Sequence, residues 1–267
     1  MKQRKQMSKP LRFFFLVLLL AACQRQPEVG VACDELAGSL EVLHLEREDI
    51  GHGYPYTINV YLPPCYEVET ERAYPILYLF PGRSSNPSTW FEAGAGEVAD
   101  RLIVDKHIPP LIIVGLENVE GDLDGDNFAD NIYPYVESYY RTLQGARYHA
   151  VGGGSMGGAP SYRLALRYPE RFGSAGLFGS GIILGEEERV RAWLGDLPPA
   201  KRPRVFLNTG LQDADLITRA RELESIFLEY GVQPETIFTD GGHAYSYWVS
   251  SFDEYLKWLA AGWMLVN

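Results

Sequence analysis

Residues Val151–Ser161 read VGGGSMGGAPS, and the same glycines support two incompatible chemistries. Gly152, Gly154 and Gly157 fit Gly-x-Gly-x-x-Gly, a turn whose backbone amides cradle a pyrophosphate. Gly153, Ser155 and Gly157 fit Gly-x-Ser-x-Gly, a sharp turn that presents a reactive hydroxyl. Both need a strand before and a helix after, so the rest of the chain must decide. A dinucleotide site wants an acid about 20 residues on, at the end of the next strand, to hold a ribose. The nearest, Glu170, stands in RYPERF at a helix end, before the next strand begins.

The hydroxyl reading makes sharper demands. A serine needs a base to take its proton, and an acid to orient that base. Of His44, His52, His107, His149 and His243, only His243 follows Ser155; it lies in DGGHAYSYW, after an expected strand and before an expected helix. The acid should stand between them, also after a strand. RVFLNTGLQDADL supplies Asp213 and Asp215. Asp215 suits the N-cap of a helix over 215–230, which leaves Asp213 for the imidazole. Taken singly these are a glycine-rich turn, a loop histidine and a turn former. Together they occur in the order serine, acid, histidine, each after a strand, and that order favours nucleophilic catalysis by Ser155 with Asp213 and His243.

The elements that must position them alternate. Apolar or β-branched runs predict strands at Leu40–Glu46, Tyr56–Leu62, Ile76–Phe80, Leu111–Leu116, Tyr148–Gly152, Ser174–Phe178, Arg204–Thr209 and Glu235–Thr239. Helical patterns fill Gly96–Lys106, Asn127–Thr142, Gly158–Tyr168, Glu186–Leu194, Asp215–Tyr230 and Tyr245–Ala260. Continuously apolar strands alternating with helices predict an α/β domain, its mainly parallel sheet covered on both faces. The first two strands have no helix between them and should be antiparallel.

With these residues in place, the chain resembles the putative-esterase family of α/β-hydrolases, which includes feruloyl esterases, S-formylglutathione hydrolases, siderophore esterases and mycolyltransferases. VYLPPCY is similar to the family's V-Y-L-P-P-G-Y, with Cys65 in place of the glycine. YPILYLFPG resembles Y-P-x-L-Y-L-x-H-G, with Pro81 where histidine is usual, and FADNIYPYVESYYRT resembles the helix before the nucleophile strand. GGSMGG, TGLQD and GGHAYSYW match the three catalytic segments. The resemblance implies an α/β-hydrolase fold and ester hydrolysis through an acyl-enzyme; no cofactor or metal is expected, two cysteines without a Cys-x-x-Cys pattern arguing against a structural zinc site. It also implies an oxyanion hole built from the backbone N–H groups of Met156 and Arg83. Acyl transfer by the same triad is the alternative, as is a binding lipoprotein that keeps the fold without catalysis.

Trp90, Phe91 and Trp248 flank these segments and could wall an acyl or sugar pocket, or pack the core. The loop GDLDGDNFAD spaces Asp122, Asp124 and Asp126 as in a calcium loop. Asn127 and Tyr133, however, stand where that loop needs glycine and glutamate, so an acidic surface loop is expected.

The 267-residue chain opens with Lys2, Arg4, Lys5, Lys9 and Arg12, then the apolar run Phe13–Ala22, then Cys23. The run is too short for an ordinary transmembrane helix, and Leu20-Ala21-Ala22-Cys23 resembles a bacterial lipobox. Residues 1–22 are read as a signal peptide, Cys23 as the lipidation site, 23–38 as a lipidated tether and 39–267 as one domain. An ordinary secretory signal is the alternative. Loss of 1–22 removes five basic and no acidic residues, moving the formal charge from −11 to about −16. Such a chain repels nucleic acid and anionic lipid, so the membrane would be reached through the lipid alone. Cys33 and Cys65 are read as a disulfide in an extracytoplasmic compartment, although spacing alone leaves two separate thiols open. Location and family together favour acylated or feruloylated carbohydrates as substrates.

Overall fold

Short runs that are almost wholly apolar form strands covered on both faces. Ile76–Phe80 (β3), Ile112–Gly115 (β4) and Ser174–Phe178 (β6) are buried along their whole length. A computed structural model describes residues 33–46, 48, 55–117 and 124–264. Within it, β1 (Ser39–Leu45), β2 (Tyr56–Leu62), β5 (His149–Gly154), β7 (Arg204–Asn208) and β8 (Glu235–Ile237) complete one sheet. Its order is β1-β2-β4-β3-β5-β6-β7-β8. The β1–β2 and β2–β4 pairings are antiparallel and the rest are parallel, as the missing first helix implied.

Side chains alternate between two cores, because successive Cβ atoms point to opposite faces. On β3, Ile76, Tyr78 and Phe80 enter one cluster while Leu77 and Leu79 enter the other. The first face is covered by α3 (Tyr133–Tyr139), α4 (Gly158–Arg167), α5 (Glu187–Asp196) and α6 (Ala214–Glu229), which contribute Val136, Leu164, Val190 and Leu223. The second is covered by α1 (Thr89–Glu92), α2 (Ala95–Val104), α7 (Tyr245–Ser250) and α8 (Phe252–Met264), through Trp90, Leu102, Trp248 and Leu256. The architecture is that of an α/β-hydrolase.

Two expected helices are interrupted, each for a local reason. The segment over 127–142 begins as a π-turn, Phe128–Ile132, before α3. Pro134 in the first turn of α3 has no N–H to offer an i→i−4 bond. The helix expected over 245–260 divides at Ser251, whose hydroxyl donates to the Trp248 carbonyl and accepts from Asn208 Nδ2.

Cys33 and Cys65 are joined in a disulfide, and Glu35 accepts a hydrogen bond from the Cys65 N–H at 2.7 Å. Gly38 N–H donates to Asp100, also at 2.7 Å. Of the tether expected over 23–38, the part from Cys33 onward is fastened to the domain; residues 23–32 lie outside the described residues. Cys65 lies in the left-handed region, with φ 69°. That conformation accounts for the glycine at the equivalent place in the family motif. Residues 1–22, expected to be a signal peptide, and Cys23 lie outside the described residues.

Candidate active site

Four loops leave the C-terminal ends of β3, β5, β7 and β8 and converge, the usual place for a site on an open parallel sheet. The turn after β5 carries Ser155 with φ 53°, a left-handed conformation costly for a residue with a Cβ. The chain then enters α4 within three residues. So sharp a turn needs its neighbours stripped of side chains: a Cβ on Gly157 would lie 2.6 Å from the carbonyl oxygens of both Phe80 and Pro81. That contact brings the turn against the loop after β3.

Ser155 Oγ lies 2.9 Å from His243 Nε2, and His243 Nδ1 lies 2.6 Å from Asp213 Oδ2. The carboxylate fixes the ring hydrogen on Nδ1, which leaves the Nε2 lone pair for the serine hydroxyl. Asp213 is 15% exposed and His243 40%, so the acid is sheltered while the base faces the cleft. The loops that carry them are laced together: Gln212 N–H donates to the Gly241 carbonyl at 3.0 Å and Leu211 N–H to that of Thr239 at 2.9 Å. A Cβ on Gly210 would sit 2.1 Å from the Gly241 carbonyl oxygen, so only glycine permits the approach.

Asp215 does not cap its helix. Asp213 holds the N-cap position of α6 and makes no side-chain cap bond, its carboxylate being turned to His243, while Asp215 lies in the first turn. The competing demand of the imidazole decides between two acids that look alike in sequence.

Met156 and Arg83 line one cavity of about 220 Å³ together with Ser155. Among the described residues no acceptor takes the Arg83 N–H, and Met156 stands in the opening turn before α4, where amides lack intrahelical partners. Tyr245, to which no role was assigned from the sequence, supports this loop by accepting a hydrogen bond from Gly82 N–H.

Trp90, Phe91 and Trp248 do not line this cavity. Trp90 is 0% and Trp248 2% exposed, and Trp90 donates its Nε1–H to the Phe80 carbonyl at 3.1 Å. Trp248 packs edge-on against the His243 ring, with centroids 5.0 Å apart. Phe91 lines a separate cavity with Tyr61 and Asp100. The large rings fill the space beneath the loops, so they support the site instead of walling it. The cavity is instead bordered by Ile182, Ile183, Leu216 and Arg219, which carry no motif and on α6 look like an ordinary helix face.

The acidic loop is held by arginines. Asp124 pairs with Arg163 and Arg189, and Asp126 with Arg167 at 2.8 Å; Asp122 lies outside the described residues. Burial works to raise the Asp126 pKa, but hydrogen bonds from Arg167 and Tyr168 outweigh it and hold the carboxyl below the ordinary range. These carboxylates already have cationic partners.

The fold and the loop geometry define an α/β-hydrolase. The chain belongs to the family described as "Putative esterase", whose profile matches residues 52–259. It is 34% identical over 171 residues to an endo-1,4-beta-xylanase/feruloyl esterase of Xylanibacter ruminicola, covering 53% of this chain and 23% of that one. The chain thus spans about a quarter of that relative's length. Among solved structures it is similar to a ferulic acid esterase (TM-score 0.75, 22% identity, 85% of this chain and 99% of the other). It is also similar to an S-formylglutathione hydrolase from Staphylococcus aureus (TM-score 0.67, 17% identity, 84% and 98%). At these identities the structural likeness concerns the fold, which serves more than one ester chemistry.

Proposed function

We propose that the protein is a serine carboxylic-ester hydrolase acting through an acyl-enzyme on acylated carbohydrates, acetylated or feruloylated glycans among them. The observation that carries this reading is His243 bridging Ser155 Oγ and Asp213 Oδ2. Ser155 Oγ attacks the ester carbonyl carbon while its proton passes to His243 Nε2. The negative charge that develops on the carbonyl oxygen is met by the Met156 and Arg83 amides, each such donor being worth about 10²–10³ in rate. Collapse breaks the bond to the alcohol, which leaves with the proton from His243. Water then attacks the acyl-serine, His243 taking its proton, and the acid departs as Ser155 recovers its hydrogen.

The strained backbone of Ser155 favours catalysis over simple binding, because a binding surface has no need of a serine at φ 53°. The carbohydrate assignment rests on the feruloyl esterase relatives and on an extracytoplasmic location. For that location we infer cleavage after Ala22 and lipidation of Cys23; no helix among the described residues is long and apolar enough to cross a membrane.

The test is turnover of 4-nitrophenyl acetate and methyl ferulate by the detergent-solubilised full chain, wild type beside Ser155→Ala. Release of nitrophenol by the wild type alone supports the esterase. Equal rates in both proteins refute it, and nitrophenol without ferulate removes the feruloyl substrates. Incorporation of labelled palmitate that disappears in Cys23→Ser tests the anchor.

A further inference from the structure

The cavity beside Ser155 is bordered by two arginines, Arg83 and Arg219, and by no carboxylate. Among the described residues, these are the two arginines whose side chains make no hydrogen bond, ion pair or ring contact. The others are engaged: Arg163 with Glu186, Arg191 with Glu229, Arg204 with the Trp258 carbonyl, Arg221 over the Phe238 ring. In a chain of net charge −11, two arginines that border one cavity and whose guanidiniums have no partner among the described residues point to a place prepared for an anion.

The cavity also has a definite side. Ser155, Met156 and Arg83 border it and His243 does not. The leaving alcohol must receive its proton from His243 Nε2, so the alcohol lies on the histidine side and the cavity is left to the acyl group. At about 220 Å³ it is smaller than the roughly 300–1,000 Å³ of a drug-sized ligand site. It therefore takes one short portion of a larger ester. Ile182, Ile183 and Leu216 contribute apolar wall to the same cavity. Leu216 and Arg219 lie one turn apart on α6, and the Arg219 carbonyl accepts the Ile182 N–H at 3.2 Å, which fixes the helix against this wall.

Resting on the esterase reading above, we propose that this pocket selects an acyl group ending in a carboxylate, so that the preferred substrates are half-esters of short dicarboxylic acids. Methylenes lie along Ile182, Ile183 and Leu216, and the distal carboxylate pairs with Arg219 and the Arg83 side chain, while the Arg83 amide serves the carbonyl oxygen. The serine step is unchanged: the ester C–O bond breaks, the alcohol leaves with the His243 proton, and water releases a dicarboxylate. Among acylated carbohydrates this ranks half-ester decorations above acetyl or feruloyl groups.

The test compares monomethyl glutarate with methyl 5-methylhexanoate, in which two methyl groups replace the carboxylate oxygens. Released acid is titrated at constant pH with the full chain. The wild type is expected to favour the half-ester by at least tenfold in kcat/KM. Arg219→Gln should lower that ratio about ten- to hundredfold, as loss of a charged hydrogen bond implies. Arg221→Gln, on the same helix, should leave the ratio in place. A ratio near one in the wild type, or one unmoved by Arg219→Gln, overturns the acyl preference and leaves the esterase standing. Turnover of 4-nitrophenyl acetate with neither methyl ester cleaved has the same meaning. Absence of turnover on every ester refutes the esterase reading and this one with it.

Discussion

The Tyr245 hydroxyl accepts a hydrogen bond from the Gly82 N–H at 2.7 Å, across 163 residues of sequence. The bond ties the loop that carries the Arg83 amide to the segment that follows His243. The Tyr245 ring is itself fixed by Trp90 and Trp248, with centroids 5.1 and 4.8 Å away. Tyr245→Phe keeps the ring and removes the acceptor. We expect kcat on 4-nitrophenyl acetate to fall about fivefold and the melting temperature by only about 2–4 °C, since one hydrogen bond contributes about 1 kcal/mol. Unchanged kcat would mean that other contacts hold the loop.

Asp213→Asn should cost about 10³–10⁴ in kcat, because an amide can no longer fix the His243 tautomer or stabilise the imidazolium. Asp213 makes no side-chain cap bond to α6, so the helix loses little. Kinetics and circular dichroism on the same preparation separate the two effects. Asp215→Asn is the matched control and should stay near wild type.

Gly157→Ala places a methyl group 2.6 Å from two backbone carbonyl oxygens, which cannot swing aside as a flexible side chain would. Overpacking of this kind costs about 1–3 kcal/mol. For a domain of this size that is a fall of about 2–12 °C in melting temperature, and the displaced elbow should lower activity further. A melt identical to wild type would contradict the packing described around the elbow.

The disulfide closes a loop with a sequence separation of 32, for which chain entropy implies about 3–4 kcal/mol. Cys33→Ser should therefore lower the melting temperature. In that background, Cys65→Gly should melt above Cys65→Ser by about 1 kcal/mol, because φ 69° suits glycine and strains serine. The reverse order would show that Cys65 relaxes once the bridge is gone.

Glu186 predicts a pH dependence of stability. Burial works to raise its pKa, but hydrogen bonds from Arg163 and Tyr162 outweigh that effect and hold it below the ordinary glutamate range. A depressed carboxyl stabilises the fold above its unfolded pKa of about 4.3, and that stability is lost as pH falls through the folded value. Melting temperature should drop steeply below about pH 4.5. Glu186→Gln should start lower at pH 7, with Arg163 deprived of its 2.7 Å partner, and should show a shallower fall.

Much of this molecule is legible in the order of its residues. Continuously apolar runs such as ILYLF and LIIVGL can be buried on both faces only in a sheet covered on both sides, so the α/β layering follows from pattern alone. The elbow, the acid and the histidine are legible because their chemistry requires strand ends, glycine and a set order along the chain. Helix interruptions at Pro134 and Ser251 were less visible, since both depend on how single hydrogen bonds resolve within otherwise helical stretches.

What the tertiary structure decided is which side chains meet. Asp213 and Asp215 are equivalent by type and nearly so by position, and only the approach of the Gly241 loop turns one of them to His243. Trp90 and Trp248 look like pocket walls beside their motifs, yet packing draws such large apolar rings beneath the loops, where most area leaves water. Arg219 has no signal in a helical stretch rich in charges, and acquires one only where its turn of α6 closes the cavity beside Ser155. Local pattern sets each element and the residue that ends it, because it reports on burial and backbone freedom. Pairing across 30 to 163 residues is set by how the layers stack, and no short stretch of sequence carries that information.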